Sequence, residues 1–378
     1  MVYLDFAATT PVLPEAMHAA CASMTERWQN PSGRYAAAAA AAKALDADRA
    51  TIASALGCGR DELFFTSCGT ESNNWAIRMA AQRSRRRGRH IITTAIEHAS
   101  VLETCRALEQ EGFEVTYLPP TPDGHIDLEA LRTALRPDTI LVSMMLVNNE
   151  LGTQLPVAQA SRLVKQFSPE ILFHTDAVQA FLKVPFSPRT LGVDLLSLSG
   201  HKVHAPKGVG ALYVRKGLRF PALLTGGGQE NALRSGTEAT AQIAAFAAAV
   251  RTCHATAHVD WARMNDLKVY VLDKIARELP SVEQIVVSDA PHILALTLPG
   301  YKAEVLVRVL GDRGVCVSAG SACHRGKPSH VYAAMKLDKA RRDGSFRVSL
   351  DRATTRADLD TLVAELAHAR ELLFPTMS

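Results

Sequence analysis

Short apolar, β-branched runs alternate along the N-terminal part of the chain with longer stretches whose apolar positions recur at helical spacing. The short runs are Leu63–Thr66, His90–Thr94, Glu114–Leu118, Thr139–Ser143, Ile171–Thr175, Asp194–Ser199 and Gly210–Val214. Helices are predicted between several of them, over Glu71–Arg86, Ser100–Glu111, Leu128–Leu135 and Pro156–Gln166. This rhythm predicts an α/β fold with a mostly parallel, seven-stranded sheet covered on both faces. Ligands of such sheets bind beyond the carboxyl ends of the strands, so the residues that follow each strand carry the functional information.

The pattern changes after the glycines at 226–228. A helical stretch runs from Glu238 to Leu279, and shorter strands follow at His292–Thr297, Gly314–Ser318 and Ser345–Leu350. The expected division is a large domain over residues 13–257 and a smaller α+β domain made of 1–12 and 258–378. The seven alanines Ala36–Ala42 continue into AKALDADRATIASAL and are read as a packed helix, alanine being the best helix former. No internal repeat is visible.

Composition narrows the function class. Of the 378 residues, 47% are hydrophobic and 21% charged, which suits a sizeable core and not a disordered chain. A net charge of +4 is too small to indicate nucleic acid. The run Arg83–Arg89 (RSRRRGR) reads as a solvated helix end with Gly88 as its stop. No apolar run reaches the ~18 residues that span a bilayer, so no membrane is expected. The opening MVYLDFAATTPV lacks the features of a signal peptide. The seven cysteines are scattered and odd in number, which argues for thiols in a reducing cytoplasm and against a disulfide framework.

Four strand ends carry candidate chemistry. In SLSGHKVHAPKGVGALYV, a strand delivers Ser199, His201 and Lys202 into a glycine-containing loop. That composition suits a phosphate oxygen, and a lysine held there can form a Schiff base with an aldehyde. An ordinary exposed lysine fits the loop alone equally well. In HTDAVQAF, Asp176 follows a strand and Gln179 lies three residues on. Asp176 suits a helix N-cap, or a carboxylate that keeps a pyridinium nitrogen protonated. FFTSCGTESNNWAI joins a strand to a helix starting near Thr70, an anion site made of backbone N–H groups and the helix dipole. His98, in AIEHAS, either packs structurally or stacks on a planar cofactor with acid–base duty. Their joint placement on one sheet edge reads as a site for pyridoxal 5'-phosphate (PLP). No metal is expected.

From Tyr3 to about Thr355 the chain resembles the cysteine desulfurases. YLDFAATTPV, TSCGTESNNWAI, EHASVLETC, VNNELGTQLP, HTDAVQAF, SGHKVHAPKGVGALYV, GGGQENALRSGTE, VSAGSAC and FRVSLDRATT are similar to their successive motifs, in the same order. The resemblance implies the fold-type-I architecture of the class V aminotransferases and PLP as cofactor. It implies that Lys202 carries the cofactor and moves the Cα proton, that Asp176 pairs with the pyridinium nitrogen, that Gln179 bonds the phenolic oxygen and that His98 stacks on the ring. Gly69, Thr70, Ser199 and His201 would hold the phosphate, joined by Thr237 from the partner subunit of a homodimer. Arg347 would bind the carboxylate of L-cysteine, with Asn149 helping to position it. Cys323, flanked by His324, Arg325 and Lys327, would be the nucleophile that keeps a persulfide and passes its sulfur to an acceptor protein for iron–sulfur cluster, thio-cofactor or tRNA biosynthesis. A selenocysteine lyase or cysteine-sulfinate desulfinase of the same family is the alternative.

The chain departs from that pattern in several places. Cys68 stands where a small residue is usual, and Asn30–Tyr35 lacks the family's histidine. Asp351–Arg352 replaces Gly-Arg. The loop from Cys323 to Pro328 is shorter than in housekeeping members, and the longer tail that docks a cluster scaffold is not expected after LLFPTMS.

Overall fold

The computed structural model describes residues 1–320 and 329–375. Its strands are β1 (Val2–Tyr3), β2 (Leu63–Thr66), β3 (His90–Thr94), β4 (Glu114–Leu118), β5 (Thr139–Ser143), β6 (Leu172–Asp176), β7 (Leu195–Ser199), β8 (Gly210–Val214), β9 (Glu283–Gln284), β10 (Ile293–Thr297), β11 (Val315–Cys316) and β12 (Ser345–Ser349). The helices are α1 (Pro14–Thr25), α2 (Ala36–Leu56), α3 (Gly69–Ser84), α4 (Ala99–Gln110), α5 (Leu128–Ala134), α6 (Val157–Phe167), α7 (Pro188–Leu191), α8 (Thr240–Glu278), α9 (Ala303–Asp312), α10 (His330–Ala334), α11 (Lys339–Asp343) and α12 (Arg356–Leu372).

The large sheet has seven strands in the order β2-β8-β7-β6-β5-β3-β4. Neighbours from β7 to β4 are parallel, whereas β8 runs antiparallel to both β7 and β2. The reversal has a simple cause. Residues 200–209 leave no room for the crossover helix that a parallel return needs, so β8 returns beside β7 directly. β2 therefore points the same way as β7, and the carboxyl ends of β2, β3, β5, β6 and β7 share one edge.

Both faces of this sheet are covered, which explains why its central strands are apolar without alternation. On one face Trp75 and Ile77 of α3 and Val101 and Leu108 of α4 pack with Ile91, Leu141, Leu195 and Leu212. On the other, Ile243, Phe246 and Val250 of α8 join Val157 and Val164 of α6 against Ile92, Phe173 and Leu196. Beyond Cys253 the same long helix changes partners. Met264, Leu267, Val271 and Ile275 belong to a second core with Leu294, Leu296, Phe346, Val348 and the α12 residues Leu359, Leu362 and Leu366. That second core lies against a three-stranded sheet, β12-β10-β9, and β1 pairs with β11 beside it.

The Gly314–Ser318 run forms a shorter strand than its apolar pattern suggests. Ladder pairing covers Val315–Cys316, and Ser318 makes only an isolated bridge to Arg347. Among the described residues no helix is long and apolar enough to cross a membrane.

Candidate active site

A cleft of roughly 210 Å³ opens at the carboxyl edge of the large sheet. Gly69, Thr70, His98, Asp176, Gln179, Ser199, His201 and Lys202 all line it. So do Asn149 and Arg347, the latter carried in from β12 of the smaller sheet. Ten of the expected residues therefore meet in one place. Thr237 does not line the cleft and is exposed on its own surface. Cys323 lies outside the described residues.

Asp176 ends β6 and is 5% exposed. Its Oδ1 accepts from the Val178 backbone N–H at 2.9 Å and its Oδ2 from Asn73 Nδ2 at 2.7 Å. These bonds fix where the carboxylate points. Asn73 donates a second bond to Ser100 Oγ at 2.8 Å. Residue type alone did not single out Asn73. The available signal was its spacing, four residues after Gly69 and so on the same face of α3.

Lys202 follows β7 in a single 3-10 turn. Its Nζ donates to the carbonyl oxygens of Ala7 at 2.7 Å and Ala8 at 2.8 Å. Gln179 Nε2 donates to the same Ala7 carbonyl at 2.9 Å. The N-terminal segment thus supplies backbone acceptors to the site, which no reading of side-chain chemistry reveals. His98 caps α4, its Nδ1 accepting from the Ser100 backbone N–H at 3.1 Å. Because Nδ1 accepts, a neutral ring carries its proton on Nε2.

The start of α3 has the character of an anion cradle. Its N-cap, Cys68, makes no side-chain capping bond, so the first-turn N–H groups have no such partner. A Cβ on Gly69 would lie 2.9 Å from Val178 Cγ2 and 3.4 Å from Ser199 Cβ, so only glycine lets this turn close against β6 and β7. Ser199 Oγ is buried and has no hydrogen-bond partner among the described residues. Burial, then the cations of Lys202 and Lys207, lowers the His201 pKa to about 4, so that ring is a neutral donor at neutral pH. Glu71 anchors the turn by accepting from the Ser67 N–H at 2.9 Å, and Arg234 Nε reaches it at 2.8 Å.

These features fit PLP. An orphaned hydroxyl, uncapped N–H groups and a neutral imidazole suit a phosphate, a buried carboxylate suits a pyridinium nitrogen, and the lysine lines the same cleft. Arg347 is 2% exposed, with Nη1 on the Asn149 carbonyl at 2.7 Å and Nη2 on Asp5 Oδ1 at 2.7 Å. Its Nε has no hydrogen-bond partner among the described residues. Asn149 contributes its backbone to this contact, and Asp5 is a second residue that the sequence reading passed over. Behind the cleft, Glu97 is fully buried, and desolvation followed by the Asp176 charge raises its pKa to about 8. Among the described residues no cluster of histidine, cysteine and carboxylate groups could hold a metal ion.

A fold-type-I PLP architecture is defined by this sheet and this edge, and comparison with known proteins agrees. The sequence pattern of the class-V aminotransferases matches residues 2–362, and the chain belongs to that family. Within it, the chain is similar to the cysteine desulfurase IscS of Methanosarcina thermophila, 41% identical over 96% of this chain and 90% of the relative. It is 40% identical to the cysteine desulfurase IscS of Dictyoglomus turgidum, over 95% and 92% of the two chains. Among solved structures, a NifS-like protein superposes with a TM-score of 0.93 at 35% identity, covering 98% of this chain and all (100%) of the other. An SspA structure in complex with cysteine superposes with a TM-score of 0.82 at 35% identity, over 94% and 100%.

Proposed function

We propose that the chain is a PLP-dependent cysteine desulfurase that converts L-cysteine to L-alanine and keeps the sulfur on Cys323 as a persulfide. The observation that carries this reading is one cleft in which Asp176 at the end of β6, Lys202 just after β7 and Arg347 in the middle of β12 converge. PLP, when bound, supplies an electron sink for negative charge developing at the substrate α-carbon.

The chain's own residues supply binding, orientation and proton movement. Asp176 would hold the proton on the pyridinium nitrogen, its carboxylate oriented by Asn73 and Val178. Gln179 would bond the phenolic oxygen and His98 would stack on the ring. Gly69, Thr70, Ser199 and His201 would take the phosphate. Lys202 would carry the cofactor at rest and then move the Cα proton. Arg347 would grip the substrate carboxylate through N–H groups not committed to Asp5 and Asn149. Cys323 thiolate would attack the substrate sulfur, so that an S–S bond forms as the C–S bond breaks and the three-carbon product leaves as alanine.

Thr237 is assigned to the phosphate site of a second copy, which makes the working unit a homodimer. Its exposure in its own subunit supports that assignment. The division into residues 13–257 and 1–12 with 258–378 is supported by the two cores that share α8. The sulfur acceptor would be a protein of iron–sulfur cluster or thio-cofactor assembly, and the expected location is the cytoplasm. The reading is tested by supplying L-cysteine, L-selenocysteine and cysteine sulfinate separately to the PLP-loaded protein and measuring alanine. Persulfide-forming turnover of L-cysteine supports it. Turnover confined to either of the other two substrates contradicts it.

A further inference from the structure

Asp351 lies just past β12 and is fully buried. Its Oδ2 receives the Lys183 ammonium at 3.0 Å and His204 Nε2 at 3.1 Å. The other ring nitrogen of His204, Nδ1, faces the Pro11 carbonyl oxygen at 3.0 Å. A carbonyl oxygen and an ionised carboxylate can only accept. With that carboxylate ionised, hydrogen bonds along both contacts require a proton on each ring nitrogen. Its backbone is also constrained. The φ angle is 65°, in the left-handed region, and the His204 N–H donates to Thr10 Oγ1 at 2.8 Å. A non-glycine residue keeps that conformation only where its surroundings over-determine it. His292, fully buried nearby, is held neutral by desolvation and then by the Lys183 charge, so it does not compete for the carboxylate.

The three partners sit on different catalytic segments. His204 is two residues after Lys202, Lys183 is four after Gln179, and Asp351 is four after Arg347. We propose that Asp351 is a positioning residue for the reaction: through the His204 imidazolium and the Lys183 ammonium it ties the turns carrying Lys202 and Gln179 to the strand carrying Arg347. The amine that moves the proton and the guanidinium that holds the substrate then keep one spacing. This rests on the desulfurase reading above. Arg347 retains its bonds to Asp5 and Asn149 without Asp351, so substrate binding is spared and alignment of Lys202 is what suffers.

The test has two arms. In the unaltered protein, nitrogen-resolved NMR of the His204 ring is expected to show protons on both nitrogens at neutral pH. In Asp351→Asn, kcat falls at least about tenfold while KM for L-cysteine changes by less than about twofold. The visible circular dichroism of the loaded variant also departs from the parental band. A His204 ring with one proton in the parent overturns the proposal, and so does a folded Asp351→Asn protein with parental kcat and dichroism. The ring measurement needs no variant, so it decides even where the substitution prevents folding. Absence of alanine release by the parent would instead overturn the desulfurase reading itself.

Discussion

Asp176 is buried, and its two carboxylate oxygens accept from Val178 and Asn73. Asn73 is the more instructive of the two, because it has no role of its own in the chemistry. Asn73→Ala leaves Asp176 Oδ2 without its side-chain donor. A hydrogen bond to a charged group contributes about 1.5–3 kcal/mol, so PLP affinity of the apo-protein should weaken roughly tenfold to a hundredfold, measured by absorbance titration. An unchanged affinity would show that Asp176 is held by Val178 alone. Asp176→Asn goes further and removes the charge. A loss of about 3 kcal/mol, or roughly a hundredfold in kcat, is expected in steady-state assays while the protein stays folded. Cys323→Ser should leave the yellow chromophore of the loaded protein in place and abolish the persulfide, read by mass spectrometry.

At the level of elements, the start of α3 shows how local geometry makes a site. The turn closes because Gly69 has no Cβ, and Gly69 and Thr70 at the uncapped start of the helix line the cleft. Gly69→Ala should therefore reduce PLP affinity more than it reduces the melting temperature, since the clash falls on Val178 at the site and not in either core. Equal losses in both would assign Gly69 to folding only. The strands Leu63–Thr66, His90–Thr94, Glu114–Leu118, Thr139–Ser143 and Gly210–Val214 were legible residue for residue, because each is an apolar run bounded by turn or helix signals. The direction of β8 was not, because an apolar run has no polarity; the length of the connection before it decides that. The candidate site was legible where side-chain chemistry marks strand ends, as at Lys202 and Asp176. The Ala7 and Ala8 carbonyls and the Asp5–Arg347 pair were not, since they depend on the N-terminal segment folding back across the chain onto the site.

For the whole molecule, two buried carboxylates give the stability opposite pH slopes. Asp351 has its pKa pulled below the usual carboxylate range. Burial opposes that shift, but the Lys183 charge and the His204 bond outweigh it. Its contribution is present above the unfolded carboxylate range and is lost as pH falls through and below about 4. Glu97 behaves in reverse. Its pKa rises from 4.5 to about 8, so between those values the folded state holds a proton that the unfolded state has released. Stability from this group therefore declines as pH rises across that window. Glu97→Gln should flatten that decline in urea unfolding measured from pH 5 to 8, and an unchanged slope would remove Glu97 as its source. The assembly is tested through Thr237. Thr237→Ala should weaken PLP binding although the residue is exposed in its own subunit, and sedimentation should report a dimer. The most direct measurement of the whole account is to incubate the PLP-loaded protein with L-cysteine, quantify alanine and locate the transferred sulfur by peptide mass spectrometry. The account predicts alanine release with one added sulfur on Cys323. No alanine, or sulfur carried stably by another cysteine with Cys323 unmodified, would contradict it.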